Sequence, residues 1–453
     1  MNQGLGTTDV LIVGGGAIGL TTALELARRG HRPLLLERGP ELLTGCSVGS
    51  AGLLSPGHSA PLANPSALRE GIRFMFRRDS PFSMHPRPTL IPWLLRFMAA
   101  CRASRVREGT RIIKELSLAS TLMHEALAAQ GLDTGFVKRG AINVYESDAA
   151  FEAGRREAEV YASEGIASRS LSTEEAQGVE PAIADRVVGA VLYPDEAHCE
   201  PSRFLQAIAD AAREAGADLR QGAEVTGFSQ DADGRVRRVE TRDGPIIPDT
   251  VVIAAGAWTS PLSRALGVSI PIEGGKGYHV DFAIKPGDPR IPVYMQEARV
   301  IATPFDGILR LSGTLQLTGL NERVDDIRVR ATMAAGVRTL RDIAGRPTVE
   351  VWQGIRPCPP DGLPIIGASD RVPNVVFASG HAMKGLHLAP VTARLVGQLV
   401  DGETPDHDLA PMHPDRFRLW GRRKRDGRSV GEVDERPKAG SAADEDGRGG
   451  RPT

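Results

Sequence analysis

Apolar runs and helical periodicity alternate near the start of the chain. Residues 10–13, Val-Leu-Ile-Val, form an apolar run suited to a buried parallel strand. The apolar residues that follow have helical spacing and precede Gly30: Leu20, Ala23, Leu24 and Leu26. A second apolar run covers residues 34–36, so the pattern predicts a strand, a helix and a second strand.

Two later segments also have helical periodicity. Apolar residues recur at helical spacing between Ile112 and Leu127. The segment 91–102, IPWLLRFMAACR, places apolar residues at helical spacing beside arginines. It is either a core helix or an interfacial helix that lies on a membrane.

The second half of the chain predicts two more helices and another strand. One helix is expected to run from a cap at Ser202 to Ala215, with Gly216 ending it. A buried strand is expected at residues 251–254. Another helix is expected to open at Gly385 and Leu386, where a proline at residue 390 is tolerable only in the first turn.

A glycine fingerprint lies between the first strand and the first helix. Gly14, Gly16 and Gly19 fit the pattern G-x-G-x-x-G, and Glu37 follows Gly19 by 18 residues at the end of the second strand. Such glycines permit a tight turn, close approach of a pyrophosphate and close packing of helix on strand. A carboxylate at this spacing accepts hydrogen bonds from a ribose hydroxyl. The unit therefore predicts dinucleotide binding, but it does not distinguish FAD from NAD.

Two segments of small residues are suited to close approach of a ligand. Residues 46–57, CSVGSAGLLSPG, are too small and polar for a core strand. Residues 255–257, Ala-Gly-Ala, follow the strand at 251–254 without bulk, as at strand ends that line the crevice of an open parallel sheet.

Arg356 lies among Ile355 and several prolines in the motif GIRPCPPDGLPIIG, residues 354–367. A guanidinium in a rigid, largely apolar frame needs an anion. The sequence leaves two candidates, a structural ion pair with Asp361 and the carboxylate of a ligand.

Composition and charge narrow the classes of protein. The 453 residues include 55 basic and 56 acidic side chains, and the formal net charge of −1 gives no argument for nucleic acid as a partner. Four widely spaced cysteines without a CxxC pair predict neither a disulfide framework nor a metal site. The sequence has no signal-like start and no apolar run of about 18 residues, so we expect a cytoplasmic protein. The tail at 421–453 has almost no apolar residues and is expected to be disordered.

Five motifs occur in the order typical of FAD-dependent amine oxidoreductases of the D-amino-acid oxidase type. They are the glycine fingerprint with Glu37, SVGSAGLLSPG, VVIAAGAW, GIRPCPPDGLPIIG and GHAMKGLHLAP. The chain resembles this family over residues 8–410, and it is most similar to bacterial D-amino-acid dehydrogenases, which share the SPGHSAP pattern of residues 55–61.

The resemblance implies an α/β fold of the D-amino-acid oxidase and glycine oxidase type, in which a FAD-binding Rossmann-like domain is interleaved with an α+β substrate domain. The discontinuous FAD-binding domain is expected at residues 8–60, 196–261 and 351–420. The substrate domain is expected at residues 61–195 and 262–350.

The resemblance also implies contacts with FAD. The fingerprint glycines are expected to hold the pyrophosphate, Glu37 the adenosine ribose, Val225 the adenine, and residues 384–387 the N1–C2=O edge of the flavin. The full set of expected cofactor-binding residues is Gly14, Gly16, Ala17, Ile18, Gly19, Glu37, Arg38, Ser47, Ala51, Gly52, Leu53, Val225, Ala255, Gly256, Lys384, Gly385, Leu386 and His387. Non-covalent FAD is expected, because the attachment residues of related families align with Gly354 and near Gly49, and Cys358 is displaced from both.

Five residues are expected to act in catalysis. The resemblance makes Arg356 the clamp for the substrate carboxylate. Tyr278 is either a pocket or lid residue that binds the carboxylate or a tyrosine packed within its strand. His58 either accepts a proton from the substrate ammonium or lies in a surface loop. Related dehydrogenases have Tyr at position 58, an apolar residue at 384 and Thr at 387. Sarcosine oxidases use a lysine close to the flavin to promote reaction with oxygen, so one alternative is that Lys384 or His387 makes this enzyme an oxidase, and the other is that Lys384 points to solvent.

The resemblance implies oxidative deamination of D-amino acids, with electrons passed to a quinone or another acceptor. One alternative is an oxidase or dehydrogenase of glycine or of secondary amines such as sarcosine, D-proline or D-hydroxyproline. A tRNA-modifying flavoprotein is a remote alternative, because the near-neutral chain has no fused methyltransferase domain. Peripheral contact with a membrane through residues 91–102 is a further possibility, and the sequence does not give the oligomeric state.

Overall fold

The computed structural model describes residues 6–65, 67, 80 and 82–418. The described residues up to Phe417 form one compact unit. Two large sheets organise the described part of this unit. The tail that was expected to be disordered, residues 421–453, lies outside the described residues.

Nine α-helices occur among the described residues: α1 Ala17–Arg28, α2 Ile91–Ala100, α3 Ala103–Ala129, α4 Asp148–Ser163, α5 Thr173–Val179, α6 Pro201–Glu214, α7 Thr259–Ala265, α8 Asp326–Thr339 and α9 Ala389–Val400. Short 3₁₀ turns lie at Pro56–His58, Pro88–Leu90, Gly256–Trp258, Ala382–Lys384, Ala410–Met412 and Pro414–Phe417.

The described strands are β1 Thr7–Val13, β2 Pro33–Leu36, β3 Leu53–Leu54, β4 Phe82–Met84, β5 Val137–Lys138, β6 Ala141–Tyr145, β7 Arg169–Leu171, β8 Gly189–Tyr193, β9 Ala197–His198, β10 Asp218–Arg220, β11 Val225–Gln230, β12 Val236–Thr241, β13 Ile247–Ile253, β14 Glu273–Ala283, β15 Val293–Met295, β16 Val300–Pro304, β17 Ile308–Leu317, β18 Thr348–Cys358, β19 Ile365–Ser369 and β20 Val372–Ser379.

A six-stranded sheet of order β10-β2-β1-β13-β20-β19 carries the glycine fingerprint. Its neighbouring strands are parallel except for the pair β19 and β20. Residues of α1, α6 and α9, such as Leu20, Phe204 and Val396, share one core with this sheet. The strand–helix–strand unit predicted from residues 10–36 is present, so the carboxyl ends of β1, β2 and β13 lie at one edge.

A nine-stranded mixed sheet forms the other large layer. Its order is β18-β14-β17-β16-β15-β6-β8-β7, with β4 beside β17. Apolar side chains of its strands, including Ile142, Val280 and Leu311, form a second core with Val329 of α8. A short sheet of order β3-β9-β5 pairs the segment after the fingerprint with residues 137–138 and 197–198.

The two large sheets take their strands from interleaved parts of the chain. The six-stranded sheet uses residues 7–36, 218–253 and 365–379. The strand β18 pairs with β14 along most of its length, which places Arg356 on the nine-stranded sheet. The domain division expected from the sequence assigned residues 351–420 to the dinucleotide-binding part, and its boundaries remain a prediction.

Two predicted helix starts are wrong. Glu200 precedes α6, and Ser202 lies in the first turn, where its hydroxyl donates to Glu200 Oε1 over 3.1 Å. Proline takes the first helical position, where its missing N–H has no intrahelical partner to lose. The helix α9 begins at Ala389, after a 3₁₀ turn at 382–384, and its proline lies in the first turn as expected.

The helix α2 has one buried and one exposed apolar side. Trp93 is buried and donates its indole N–H to the Cys358 carbonyl over 2.9 Å, whereas Ile91, Leu95 and Met98 are exposed. The buried side is consistent with the prediction of a core helix for residues 91–102, and the exposed apolar side is consistent with the alternative of an interfacial helix. No described helix is long and apolar enough to cross a bilayer.

The packing of α1 on β1 gives a first testable prediction. A Cβ atom at Gly19 would lie 1.8 Å from the Gly14 carbonyl oxygen, so Gly19→Ala forces the helix away from the loop. We expect the free energy of unfolding to fall by about 1–3 kcal/mol, measured by urea denaturation. In the matched variant Gly178→Ala, in α5, the added methyl meets nothing within 4 Å. Stability there should stay equal or rise by up to about 1 kcal/mol, and equal behaviour of the two variants would contradict this packing.

Candidate active site

A cavity of about 1120 Å³ opens between the carboxyl edge of the six-stranded sheet and the nine-stranded sheet. Most of the predicted site residues line it, including Gly14, Glu37, His58, Arg356 and Lys384. Its volume lies above the usual range of ligand pockets, about 300–1,000 Å³, so it has room for an extended dinucleotide together with a small substrate.

The glycine loop closes tightly at one end of this cavity. Gly14 has φ of 114°, and a Cβ there would lie 2.6 Å from the Ala254 carbonyl oxygen. At Gly16, in contrast, the nearest atom to an added Cβ is Ser47 Oγ at 3.5 Å. The Gly16 backbone faces the cavity at the N-terminus of α1, where free N–H groups and the helix dipole favour negative charge.

Ser47 completes the start of α1 from a distant loop. Gly16 has no side chain to cap the helix, and Ser47 Oγ accepts the Ala17 N–H over 3.1 Å. Ser47, Ala17 and Ile18 all line the cavity. The loop and the helix terminus are thus held in one arrangement.

Glu37 directly follows β2, and its carboxylate is held by backbone groups. Its Oε2 accepts the Gly15 N–H over 2.8 Å and its Oε1 accepts the Gly39 N–H over 2.7 Å. A carboxylate has about four acceptor positions, so two remain for hydroxyl donors. Arg38 is exposed and lies over the Trp258 ring, 4.0 Å from its centroid.

The loop at residues 48–52 is held by side chains of the nine-stranded sheet. Arg310 donates to the carbonyls of Val48 and Ser50 over 2.9 and 3.2 Å. Arg310 also binds both carboxylate oxygens of Asp281, over 2.9 and 2.8 Å.

Two further contacts hold the same loop. Thr303 Oγ1 donates to the Ala51 carbonyl over 2.9 Å. At Gly52, with φ of 69°, a Cβ would lie 2.2 Å from the Cys199 carbonyl oxygen. Ala51 and Leu53 line the cavity, and Gly52 makes the turn between them possible.

The remaining predicted cofactor residues lie on neighbouring strand ends. Val225 lines the cavity at the start of β11, close to Glu37, because the Ala223 N–H donates to the Glu37 carbonyl over 2.9 Å. Ala255 and Gly256 line it after β13, and Ser379 Oγ donates to the Gly256 carbonyl over 3.0 Å.

Arg356 reaches the cavity from β18 without an acidic partner. Its Nη1 donates to the Thr314 carbonyl over 2.7 Å, and no carboxylate among the described residues forms an ion pair with it. The expected alternative, a pair with Asp361, is wrong, because Asp361 binds Arg416 over 2.8 Å. Burial lowers the pKa of Arg356, although the group stays charged.

A β-bulge aims the Thr314 carbonyl at Arg356. Between the pairs Lys276–Gln316 and Tyr278–Gly313, β17 has one residue more than β14. Thr314 takes φ of 61°, a left-handed conformation that is strained for a β-branched residue. Opposite the bulge, a Cβ at Gly277 would lie 2.2 Å from the Arg356 guanidinium, so only glycine leaves room for it.

Lys384 points inward. Its Nζ donates to the Ser55 carbonyl over 3.2 Å, which contradicts the alternative that it points to solvent. The pKa of Lys384 is lowered to about 8. Burial is the cause of this decrease, and the charge of Glu196 partly opposes it. Gly385 and Leu386 also line the cavity.

His387 lines the cavity but is bound to helix α3. Its Nε2 lies 2.9 Å from Thr121 Oγ1 and 3.1 Å from the Ser117 carbonyl. Burial and the charge of Lys384 hold its pKa well below the usual value, so the ring is neutral. The imidazole thus anchors residues 384–387 to α3 through Nε2.

His58 and Tyr278 have different surroundings. The His58 ring lies in the cavity wall, 5.0 Å from the ring of Tyr294, with Nε2 3.1 Å from Asn143 Nδ2. Tyr278 is 1% exposed, does not line the cavity and donates to Gln316 Oε1 over 2.9 Å. The structure therefore shows Tyr278 as a tyrosine packed within its strand, because the register of β14 turns its side chain into the core.

Several lining residues were not found from the sequence. Tyr294, Asn143 and Trp352 line the cavity from three strands, and Trp352 lies against Gly49 and Gly354. An apolar wall near β4, α2 and β17 is formed by Phe82, Met84, Trp93, Leu94, Phe97, Leu315 and Leu317. The sequence signal that could have indicated Trp352 is the pair of glycines at 49 and 354, which leave room for its ring.

The cavity fits a flavin dinucleotide. The close contacts at Gly14 and Gly19 form a cradle that a Cβ would fill, the N-terminus of α1 favours a diphosphate, and Glu37 keeps acceptor positions for a ribose. No other observation at the site conflicts with this group.

Comparisons with known proteins identify relatives that match most of the chain. The family model described as FAD dependent oxidoreductase matches residues 9–399. A D-amino acid dehydrogenase of Cereibacter sphaeroides is 29% identical over 92% of this chain and 97% of its own. D-amino acid dehydrogenase 2 of Ralstonia nicotianae is 32% identical over 89% of this chain and 99% of its own.

Solved structures show the same fold. Glycine oxidase from Geobacillus kaustophilus has a TM-score of 0.74 at 28% identity and covers 91% of this chain and 99% of its own. L-proline dehydrogenase from P. horikoshii has a TM-score of 0.69 at 20% identity and covers 91% of this chain and 98% of its own. The predicted α/β fold of the glycine oxidase type and the predicted FAD cofactor are confirmed.

The Arg310–Asp281 pair gives a second prediction. Arg310→Met leaves a buried carboxylate without its partner and releases residues 48–50, so we expect the free energy of unfolding to fall by about 3–5 kcal/mol, with weaker retention of FAD. Urea denaturation and gel filtration with absorbance detection measure the two effects. Arg341→Met breaks an ion pair with Asp185 in which both side chains are exposed, and should cost about 0–1 kcal/mol. Similar losses in both variants would show that Arg310 does not hold the loop.

Lys384 gives a third prediction. Because only the neutral amine is nucleophilic, its acetylation by limiting acetic anhydride should reach half of its maximum near pH 8, in line with its lowered pKa of about 8. Peptide mass spectrometry follows the label, with the exposed Lys138 as internal reference for the reagent. A Lys384 profile that follows Lys138 at every pH would contradict the burial of its ammonium.

Proposed function

The chain belongs to the family of FAD-dependent oxidoreductases of the D-amino-acid oxidase type, and on that premise we propose that it oxidises D-amino acids to 2-oxo acids and ammonia. The observation that carries the proposal is the Arg356 guanidinium, which lines the cavity without a carboxylate partner among the described residues. A zwitterionic amino acid supplies the missing anion. The names of the curated relatives, D-amino acid dehydrogenases, support the choice of D-amino acids.

Arg356 binds and orients the substrate in this proposal. One of its Nη donors is fixed by the Thr314 carbonyl at 2.7 Å, which leaves the other donors for the substrate carboxylate. The chemistry that FAD supplies when bound is acceptance of the Cα hydrogen as a hydride at flavin N5. The resulting imino acid hydrolyses to the 2-oxo acid and ammonia.

The apolar wall receives the substrate side chain. Trp93, Phe97 and Leu317 are close neighbours of Cys358 and the end of β18, which carries Arg356. Aromatic and aliphatic surfaces of this kind favour apolar side chains, because each removes apolar area from water. Burial also excludes water from the reacting bond.

The predicted cofactor residues keep their roles in the proposal. Gly14, Gly16 and Gly19 hold the pyrophosphate at the start of α1, Glu37 binds the ribose, and Val225 meets the adenine. The segment 384–387, which lines the cavity and leads into α9, would hold the edge of the flavin, where the positive end of the helix would favour the negative charge of the reduced form. FAD is bound without a covalent link.

A second candidate is oxidation of glycine or a secondary amine. Glycine oxidase from Geobacillus kaustophilus is the observation that favours it, since its structure covers 91% of this chain at 28% identity. The Arg356 clamp serves any α-amino acid, so the two candidates differ in the amine and the side chain of the substrate.

A quinone or another acceptor takes the electrons in this proposal. The exposed apolar residues of α2, namely Ile91, Leu95 and Met98, support peripheral contact with a membrane. Oxygen is the alternative acceptor, for which the inward Lys384 is the candidate residue. A cytoplasmic location remains a prediction from the sequence.

The first test mixes the holoenzyme, without oxygen, with D- and L-amino acids, glycine, sarcosine and D-hydroxyproline. We expect D-amino acids with apolar side chains to bleach the flavin absorbance, with slow recovery in air and fast recovery with a soluble quinone. Bleaching by glycine or cyclic amines alone favours the second candidate. Fast recovery in air that is lost in Lys384→Met favours oxygen, and absence of any bleaching overturns the proposal.

The clamp is tested by substitution. Arg356→Lys keeps a charge but loses the two-pronged geometry, so KM should rise about 10- to 100-fold, the equivalent of one charged hydrogen bond. Arg356→Met should raise it further. Arg346→Lys changes an arginine that binds buried Asp288 outside the cavity, and should leave KM unchanged. An unchanged KM in both Arg356 variants would show that another group binds the carboxylate.

A further inference from the structure

A chain of hydrogen bonds runs from buried Glu196 through Ser55 to His58 in the cavity wall. We propose that Glu196 and Ser55 are positioning residues that hold His58 in the tautomer whose Nε2 accepts a proton from the substrate ammonium. The inference rests on the proposed function, since it assigns the group that converts the bound ammonium to the free amine that is oxidised.

The pairing of two short strands brings Glu196 and Ser55 together. Leu54 of β3 pairs with Ala197 of β9, so the residue after one strand lies beside the residue before the other. The Ser55 hydroxyl bonds to Glu196 Oε1, and the Gly57 N–H donates to the same oxygen over 3.0 Å. These contacts join residues more than a hundred positions apart in the chain.

The donors and acceptors of this chain determine the tautomer of His58. Ser55 has one hydroxyl proton, and the Glu196 carboxylate can only accept, so the hydroxyl donates to Glu196. The contact of 2.5 Å between Ser55 Oγ and His58 Nδ1 then requires that Nδ1 carries a proton and donates it. His58 Nε2 is left with its lone pair, and it accepts from Asn143 Nδ2 over 3.1 Å.

Glu196 places a buried carboxylate beside His58. Glu196 is 2% exposed, and its Oε2 has no hydrogen-bond partner among the described residues. Its Oε1 lies 3.8 Å from His58 Nδ1. An imidazolium formed by proton transfer to His58 would therefore lie next to a buried carboxylate.

Other groups around His58 are mostly uncharged. The rings of Tyr193 and Tyr294 lie 6.0 and 5.0 Å from its ring, and burial keeps Tyr193 protonated by raising its pKa. Lys384, which donates to the Ser55 carbonyl, is the cation of the cluster. The exposed Glu157 lines the same cavity.

The proton step balances in atoms and charge. One N–H bond of the substrate ammonium breaks, its electron pair stays on the amine nitrogen, and a new N–H bond forms at His58 Nε2. The positive charge moves from the substrate to an imidazolium whose Nδ1–H already donates to Ser55. Because Nε2 has one lone pair, the ammonium takes the place of the Asn143 NH₂ at this nitrogen before the transfer, and the new N–H then points back to the amine nitrogen.

A purely structural role of Glu196 predicts a loss of stability alone when the residue is changed. Glu196 also fixes the turn at residues 55–58 through the Gly57 N–H, and loss of that contact would lower stability in any variant of Glu196. Such a role leaves the tautomer and the pH dependence of His58 unchanged. These two readouts therefore separate the hypotheses.

The first experiment observes His58 directly in the holoenzyme. Protein labelled with ¹⁵N-histidine is examined by NMR over a range of pH, and His58→Asn identifies the signals of His58 among the ten histidines. We expect the Nδ1–H tautomer in the natural protein. In Glu196→Gln the new amide can donate to Ser55 Oγ and free the hydroxyl to donate to Nδ1, so the tautomer should reverse and protonation should shift to lower pH.

The second experiment measures the rate of flavin reduction by the best substrate against pH. The rate should rise with pH as His58 loses its proton, and His58→Asn should lower it about 100-fold or more. Glu196→Gln should lower the upper plateau about ten-fold and move the rising limb to lower pH, since the neighbouring negative charge is lost. Ser55→Ala should lower the plateau similarly, whereas Ser55→Thr keeps the hydroxyl and should restore it.

Glu180→Gln is the matched control. Glu180 is 1% exposed and accepts the N–H groups of Ala182 and Arg290, but it does not line the cavity. This variant should lose stability without a change in the tautomer or the pH profile of His58. If Glu196→Gln does not fold, Ser55→Ala and Ser55→Thr decide the question.

The outcomes distinguish failure of the inference from failure of the proposed function. If no amino acid reduces the flavin of the natural protein, the proposed function fails, and the inferred proton acceptor fails with it even if the tautomer is the expected one. If amino acids reduce the flavin but His58 has the Nε2–H tautomer, or Glu196→Gln and Ser55→Ala behave as Glu180→Gln does, the inference alone is overturned.

Discussion

The buried guanidinium of Arg310 is the contact on which the geometry of the site depends. It lies on β17 of the nine-stranded sheet, binds Asp281 on β14, and donates to the carbonyls of Val48 and Ser50. A charge of this kind is tolerated in the interior only while all of its partners are present. The pair therefore connects the packing of the nine-stranded sheet to the shape of the loop at residues 48–52. This loop lines the cofactor cavity beside the six-stranded sheet.

The cavity combines two charged groups of opposite sign, a partly buried guanidinium and a buried carboxylate, that each keep hydrogen-bonding capacity. Arg356 has no carboxylate bound to it, and Glu196 has a carboxylate oxygen without a hydrogen bond among the described residues. An amino acid in its zwitterionic form carries the complement of both, a carboxylate and an ammonium. This complementarity of charge is a physical reason for selecting α-amino acids.

Local departures from regular structure position the reacting groups. The bulge at Thr314 turns a carbonyl toward Arg356, and the glycine at residue 277 leaves room for the guanidinium. In the same way, Ser47 supplies the cap that Gly16 lacks at the start of α1. In each case a residue that weakens a strand or helix creates space or a free group that the site uses.

The sequence by itself determined the dinucleotide-binding unit, because this unit depends on periodicity and glycines over a short stretch of chain. The family and the FAD cofactor followed from the resemblance of five motifs to known proteins. The sequence also showed that Arg356 lies in a largely apolar segment, so that its guanidinium needs an anion. The tertiary structure alone decided that Tyr278 faces the core, that His387 is bound to α3, and that Glu196 supports His58. The direction of a strand side chain depends on register with its neighbours, and Glu196 meets Ser55 only through the pairing of β3 with β9. Contacts between residues so distant in the chain arise from the packing of whole elements, and no local pattern encodes them.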